Sequence, residues 1–106
     1  MEQYNEWQTV NEWIRRKIFP PGEQMMSMLI HFKQGGSGPA HQHIHEQLGF
    51  VISGKIRMEI NGQSAEYGAG QLVHVPSNAV HSVVALEETQ LLETFTPLRA
   101  DLLLKE

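Results

Sequence analysis

The stretch Ala40–Gly54, AHQHIHEQLGFVISG, places three histidines at every second position directly before a hydrophobic run. Side chains two residues apart in an extended chain point the same way. The residues expected to share one face are His41, His43, His45 and Gln47. Three imidazoles and an amide oxygen are suitable ligands for a divalent metal. The alternative is a polar, solvent-facing side of a strand, for which three histidines in five positions is an unusual choice.

Another histidine follows a distant turn, in the stretch GAGQLVHVPSNAVHS at residues 68–82. A glycine-rich turn, a short strand and a Pro-Ser-Asn-Ala turn lead to His81. In a closed barrel we expect this strand and turn to bring His81 beside the first cluster. The two segments together favour a metal site.

Short apolar runs separated by Gly, Pro, Asn and Ser are typical of successive antiparallel strands. In KIRMEING, residues 55–62, Ile56, Met58 and Ile60 alternate with charged residues, as in a half-buried strand. Asn61-Gly62 then predicts a type I′ hairpin turn. So many short strands in one small chain predict an all-β sandwich or small barrel. The predicted strands are MMSMLIHF, EQLGFVIS, KIRMEI, SAEY, QLVHV, HSVVAL and TQLLETF.

The composition indicates one domain with one core. The chain has 106 residues, 41% of them hydrophobic, and no cysteine, which excludes disulfides and thiolate metal sites. Its net charge of −4 gives no footprint for nucleic acid, and the one basic cluster, Arg15-Arg16-Lys17, is interpreted as a solvated segment. The N-terminus is polar and no apolar run approaches about 18 residues, so we expect a cytoplasmic protein without membrane contact.

The histidine stretch resembles the first motif of the cupins. Gly35 is followed after five residues by His41-Gln42-His43, after three more by Gln47, and after six more by Gly54. The cupin pattern has a glutamate where Gln47 stands.

The second histidine segment resembles the second cupin motif. Gly70, Pro76 and His81 fall at the cupin positions, while Asn78 replaces a turn glycine and Ala85 replaces the final asparagine. Asparagine tolerates the left-handed conformation that a turn demands. The resemblance implies the cupin double-stranded β-helix, a jelly-roll-like small barrel, with residues 1–106 as a single domain.

The resemblance also implies four metal ligands. If His43-Ile44-His45 were the histidine pair, the fourth position would be Gly49, which has no side chain. The implied ligands are therefore His41, His43, Gln47 and His81. Three roles stay open for His45: a proton carrier in the cavity, a donor behind the ligands, or a solvent-facing residue. Glu46 is interpreted as a residue at the surface or behind the ligands, because strand alternation points it away from them.

The glutamine changes the chemistry expected of the metal. Three neutral imidazoles and a neutral amide leave the full divalent charge on the ion, which makes it a stronger Lewis acid for anionic ligands. Ni, Mn, Fe, Co and Zn all suit nitrogen and oxygen ligands, so the identity of the metal stays open.

A closer resemblance is to the small pectin-degradation cupins that open the ring of unsaturated uronates and also carry a glutamine ligand. HIHEQLGFVISG, LLETFTPLRADLL and WIRRKIFPPGEQMMSMLIHFKQGG are similar to their segments. The likeness implies active-site roles for Glu93 and Phe95 and substrate support from Arg99, although the family residue at Glu93 is an aspartate. The alternatives are a surface ion pair of Glu93 with Arg99, and a plain core role for Phe95.

The resemblance implies an enzyme that opens 4,5-unsaturated uronates to linear keto acids, with Glu93 as general base and Arg99 on the substrate carboxylate. The alternatives are a metal-dependent dioxygenase or isomerase acting on another small molecule, and a non-catalytic module that binds a sugar acid or metal.

The chain ends suggest a homodimer, by resemblance to cupins. Residues 1–13, with Trp7 and Trp13, are expected to form an N-terminal arm, and residues 100–106 a tail or helical turn; both are candidates to pack across a partner. His31 and His74 lie in apolar strands and are interpreted as structural.

Overall fold

The fold is built from two antiparallel sheets. The computed structural model describes residues 3–103. Its strands are β1 (Trp7–Thr9), β2 (Ile14–Ile18), β3 (Met26–Phe32), β4 (Ser37–His41), β5 (Glu46–Ser53), β6 (Lys55–Ile60), β7 (Gln63–Gly68), β8 (Leu72–Val75), β9 (His81–Ala85) and β10 (Thr89–Thr96). One turn of 3-10 helix, Ala100–Leu102, follows β10.

The chain crosses repeatedly between the sheets. The larger sheet has the order β1-β2-β3-β10-β5-β8, and the smaller has the order β4-β9-β6-β7. This topology confirms the predicted jelly-roll-like barrel. Strand β10 lies inside the larger sheet, where it pairs with β3 on one side and β5 on the other.

The core lies between the inner faces of the two sheets. Alternate residues of β3 and β10 are buried, as the period of two of a half-buried strand requires. Val51, Ile56 and Leu91 are fully buried contributors to this core. The inner face of β3 also supplies Met28 and Ile30 to the wall of the cavity described below.

All seven predicted strands are present, and residues 3–103 contain three further strands that were not predicted. In β2 (IRRKI) three consecutive charges hide the alternation, and in β4 (SGPAH) the Gly-Pro pair resembles a loop. The third, β1, has three residues, too few to show a period. These strands are specified by their neighbours in the sheets, because their own sequences carry a weak strand signal.

The turns adopt the conformations that the sequence predicted. Asn61 and Gly62 both have positive φ, 49° and 84°, which fits the predicted type I′ turn. Asn78, which stands at the turn-glycine position of the second motif, has φ 64°. At Gly54, φ is 89° and an added Cβ would collide with the backbone of Glu88, so glycine is required there.

The two ends of the described chain meet. Gln3 donates a side-chain hydrogen bond of 2.6 Å to the carbonyl of Leu102. Part of the expected N-terminal arm is β1, which pairs with β2 of the same chain. Residues 1–2 of that arm and residues 104–106 of the expected tail lie outside the described residues. Within residues 3–103 no helix has the length and apolar character needed to cross a membrane.

Candidate metal centre

The histidine stretch connects the two sheets. β4 ends at His41 in the smaller sheet, and β5 begins at Glu46 in the larger one. The prediction that His41, His43, His45 and Gln47 lie on one face of a single extended strand is therefore wrong, because residues 42–45 form the crossing. His41 instead pairs with His81 across β4 and β9. A cross-strand pair and a crossing loop bring the histidines together.

Three of the histidines converge on one point. One ring nitrogen from each of His41, His43 and His81 lies within 4.8 Å of the other two. Ligand nitrogens bind a metal at about 2.1 Å, so two of them on one ion are at most about 4.2 Å apart. A small side-chain movement therefore suffices for all three to hold a single ion.

Main-chain carbonyls fix the tautomer of each ring. Each Nδ1 lies at 2.9–3.2 Å from a carbonyl oxygen: that of Pro39 for His41, His45 for His43, and Ala79 for His81. A carbonyl can only accept, so the ring proton sits on Nδ1 and the lone pair on Nε2 is free. Metal-binding imidazoles are oriented by this kind of hydrogen bond.

The environment of His43 fits a metal ligand best. Its Nε2 is buried and has no hydrogen-bond partner among residues 3–103. Desolvation, followed by the charge of Arg99, lowers the pKa of His43, and desolvation is also the largest cause that lowers the pKa of His81. Both rings are thus kept in the neutral form that binds metals. The donor set fits a divalent transition metal.

A cavity of about 250 Å³ opens on this cluster, and its wall includes His41, Gln47, His81 and Glu93. Gln47 is 3% exposed and Glu93 is 7% exposed. Burial raises the pKa of Glu93 to about 7, against the opposing effect of Arg99. The site therefore combines three metal-binding nitrogens with a buried carboxyl group that can take or give a proton near neutral pH.

Arg99 reaches the same cavity from the chain after β10. Its Nε and Nη2 donate to the two carboxylate oxygens of Asp101, at 3.0 and 2.8 Å, and its guanidinium lies 5.1 Å from the Phe95 ring centre. The Arg99 hydrogen bond lowers the pKa of Asp101. In the described part of the chain, Arg99 forms an ion pair with Asp101 and none with Glu93, so the surface pair considered for Glu93 is absent.

Phe95 lies behind the site. It is 1% exposed, belongs to the hydrophobic core, and places its ring 6.1 Å from that of His43 in an edge-on arrangement. Phe95 therefore supports His43 and Arg99 from the core side. This placement matches the core alternative more closely than a wall against the sugar.

The remaining histidines lie around the site or far from it. His45 donates from Nε2 to the carbonyl of Leu98 at 3.0 Å, and its own carbonyl accepts from His43. The main chain of His45, and not its imidazole, thus contacts a candidate ligand, so the predicted roles of the His45 side chain stay predictions. His74 pairs with Glu46 at 2.6 Å on the surface, and His31 pairs with Glu88 at 2.8 Å.

Arg16 is the cavity residue that the sequence analysis missed. It lines the cavity together with Arg99 and Glu93, whereas the basic cluster containing it was interpreted as solvated. The signal was present: Arg16 lies two residues from Ile14 on one side and Ile18 on the other, so strand alternation places all three on one face.

The geometry of sheets and histidines agrees with the comparisons to known proteins. The cupin domain model matches residues 28–95. The chain belongs to the cupin family. The matched segment contains all three converging histidines and Glu93.

This cupin is most informatively compared with proteins named KdgF. It is 35% identical over 99 residues to the pectin degradation protein KdgF of Dickeya dadantii (strain 3937), covering 92% of this chain and 90% of that one. KdgF from Halomonas sp. superposes with a TM-score of 0.89 and 33% identity, covering 93% and 92% of the two chains. An RmlC-like cupin from Shewanella frigidimarina NCIMB 400 superposes with a TM-score of 0.88 and 25% identity, covering 97% of each.

Proposed function

We propose that this cupin opens the ring of 4,5-unsaturated uronate monosaccharides to give linear keto acids. The observation that carries the proposal is that buried Glu93 lines the same cavity as His41, His81 and Gln47. The similarity to a pectin degradation protein over nearly the whole chain supports this substrate class. The cavity, at about 250 Å³, is smaller than the usual range for drug-sized ligands and suits a small molecule.

The proposed metal ligands are His41, His43, His81 and Gln47. A divalent ion held there would supply Lewis-acid polarisation of substrate oxygens. The Gln47 amide adds an oxygen donor without adding negative charge. Because the ligand set is neutral, the site favours anionic oxygen ligands, as a uronate provides.

Glu93 is the proposed general base. As a carboxylate it takes the proton from the anomeric hydroxyl; the C1–O bond becomes a carbonyl, the bond from C1 to the ring oxygen breaks, and the ring oxygen leaves as an enolate. Protonated Glu93 then returns its proton to the enolate: at C4 this gives the keto form directly, and at oxygen it gives the enol, which tautomerises to the keto form. With a pKa near 7, Glu93 is suited to both transfers at neutral pH.

Arg99 is the proposed electrostatic partner of this step. Asp101 and the Phe95 ring hold its guanidinium in place, and the N–H groups not bonded to Asp101 can donate to a negative oxygen of the substrate. Its charge lowers the pKa of Glu93 and so keeps part of that group ionised.

The test is proton NMR of freshly generated 4,5-unsaturated galacturonate, following the vinyl H4 signal with and without the protein. We expect faster loss of the signal, which a chelator and Glu93→Gln each abolish. The matched control is Glu46→Gln, which removes an exposed carboxylate next to the proposed ligand Gln47. An unchanged rate with metal-loaded wild-type protein would discard this substrate and leave oxygenase or binding-module functions.

We also propose that the protein is a homodimer that buries the outer face of the larger sheet. An exposed sheet face is usually polar, yet here it carries Leu48, Phe50, Ile52 and Leu72, each 38–53% exposed. The six strands average about six residues, and at about 4.8 Å between strands and about 3.4 Å per residue they give a face of about 570 Å². That area approaches the roughly 600 Å² that each partner contributes at the lower end of the standard interface size.

Light scattering at micromolar concentration tests the dimer. We expect about twice the chain mass, reduced to one chain by Phe50→Glu, with Ile44→Glu as an exposed apolar control outside that sheet. A monomer mass for the wild type would refute the dimer.

A further inference from the structure

Arg16 is a cation that points into the protein. Its neighbours two residues away, Ile14 and Ile18, are 9% and 0% exposed and belong to the core, so alternation turns Arg16 inward as well. Arg15 and Lys17 face outward, where each lies 4.8 Å from the ring of Trp7. An inward cation between apolar neighbours is unfavourable unless a polar group satisfies it.

Arg16 has no anionic partner in the described chain. Among residues 3–103 its guanidinium makes one hydrogen bond, from Nε to the side-chain oxygen of Gln8 at 3.3 Å, and no carboxylate lies within ion-pair distance. The four terminal N–H groups are therefore available to an external acceptor. An inward-pointing charge can protect an edge strand from pairing with another chain. This does not explain Arg16, because β2 is not an edge strand: β1 pairs with it.

A chain of hydrogen bonds holds Arg16 in place. The Gln8 amide that accepts from Arg16 donates to the carbonyl of Gln3 at 3.3 Å, and the side chain of Gln3 donates to the carbonyl of Leu102. Leu102 itself lines the cavity. The Nε side of the guanidinium is thus anchored, as Asp101 anchors that of Arg99, and the terminal nitrogens are left for a ligand.

Arg16 lies on the opposite side of Glu93 from the candidate ligand Gln47. Along the larger sheet Arg16 pairs with Ile30, which pairs with Leu91, two residues before Glu93. Two strand spacings and two residue rises put the Cα atoms of Arg16 and Glu93 about 12 Å apart. Gln47 follows on the next strand, β5. Glu93 therefore lies between Arg16 and Gln47 along this sheet, and all three line one cavity with His41 and His81.

We infer that Arg16 forms an anion subsite that binds the carboxylate of the ligand at the end of the cavity away from the histidines. Arg99, near the reacting end, is then left to stabilise charge that develops during the reaction. That the carboxylate belongs to a uronate rests on the proposed function; the subsite itself rests on the unpaired, anchored guanidinium.

Binding without turnover tests this subsite. The probes are galacturonate and its neutral counterpart galactose, titrated by calorimetry or ligand-observed NMR into metal-loaded and chelator-treated protein. We expect Arg16→Gln to weaken galacturonate binding at least tenfold and to leave galactose binding unchanged. Arg16→Lys should recover part of the loss, because lysine keeps the positive charge but lacks the paired N–H donors of the guanidinium. Arg15→Gln, on the outer face of the same strand, is the matched control and should bind as the wild type does.

Kinetics on the unsaturated uronate give the second measurement. Arg16→Gln should raise KM at least tenfold for the free acid, with little change for the methyl ester and less than threefold change in kcat. Equal losses for acid and ester, or no loss for either, overturn the subsite. The subsite is also overturned if Arg16→Gln still prefers galacturonate over galactose, since the carboxylate would then bind the metal.

The outcomes separate the subsite from the ring-opening reaction. Wild-type protein that prefers galacturonate through Arg16 but leaves the vinyl signal unchanged refutes ring opening and keeps the subsite. Wild-type protein that opens the uronate with Arg16→Gln unaffected keeps ring opening and refutes the subsite. Wild-type protein that does not distinguish galacturonate from galactose also refutes it.

Discussion

Replacing Glu93 by glutamine should stabilise the metal-free protein at alkaline pH. Burial raises the pKa of Glu93 from its ordinary value of 4.5 to about 7 in the folded protein. The folded state therefore holds the Glu93 proton more tightly than the unfolded state does. As pH rises above 4.5, unfolding increasingly releases the proton and is favoured, and the penalty reaches its full size above pH 7. Glutamine keeps the shape of the protonated acid and cannot ionise.

The two pKa values set the magnitude. Linkage gives a destabilisation of about 0.8 kcal/mol at pH 5 and about 3.3 kcal/mol at pH 8, so the substitution should gain about 2.5 kcal/mol more at pH 8 than at pH 5. Contacts that differ between the acid and the amide at both pH values cancel in this double difference. The effects of histidine titration also cancel, because both proteins contain the same histidines.

Urea unfolding of chelator-treated wild type and Glu93→Gln at pH 5 and pH 8 measures this double difference. Chelation is needed because a bound cation changes the protonation of nearby groups. Glu59→Gln, at an exposed position of β6, is the matched control. A free-energy difference for Glu93→Gln that is the same at both pH values would show that Glu93 is not held in its protonated form by burial. In the NMR assay the same stabilised variant should be inactive.

Three other perturbations have defined outcomes. Gly54→Ala should destabilise the fold by at least about 2 kcal/mol in urea unfolding, because its positive φ and the nearby β9–β10 turn exclude a Cβ; a loss below 0.5 kcal/mol would contradict this. Binding of Co(II), measured by its absorbance, should persist below pH 6.5, because His43 and His81 have lowered pKa values and stay neutral there. Complete loss of bound Co(II) already above pH 6.5 would contradict this. Asp101→Asn should lower kcat/KM about tenfold through poorer orientation of Arg99 while changing stability by less than about 1 kcal/mol; unchanged kinetics would show that the pair does not orient the arginine.

The strands that the sequence predicted are those with a visible period of two or a dense apolar run. β6, KIRMEI, alternates clearly and was predicted with its observed bounds. In β2 the inward residues are Ile14, Arg16 and Ile18, so the middle member of the buried face is charged. A count of apolar residues alone scores this face as interrupted, and the alternation becomes visible only when Ile14 and Ile18 are compared across the charged residue between them. The missed strand and the missed cavity residue therefore have one cause.

The converging histidines were predicted for a partly incorrect reason. Strand alternation suggested that His41 and His43 share a face, whereas the chain leaves the smaller sheet at His41 and the loop returns His43 to the cluster. Motif spacing succeeded because it measures the length of the crossing between sheets, whatever its local conformation. The tautomers, by contrast, depend on carbonyls that only the folded loop positions.

Those carbonyl contacts explain how the site can be ready before a metal arrives. A histidine that searches for its rotamer must lose conformational entropy on binding, and a ring protonated at the wrong nitrogen must exchange its proton first. Here each ring is held by its own segment of main chain, and among residues 3–103 the buried Nε2 of His43 has no partner that an ion would have to displace. Arg16 and Arg99 follow the same principle, since each guanidinium is anchored at Nε and leaves other donors unused. Preorganised donors cost little reorganisation when charge binds or develops, so the arrangement fits the proposal of an anionic ligand held between Arg16 and the candidate metal ligands.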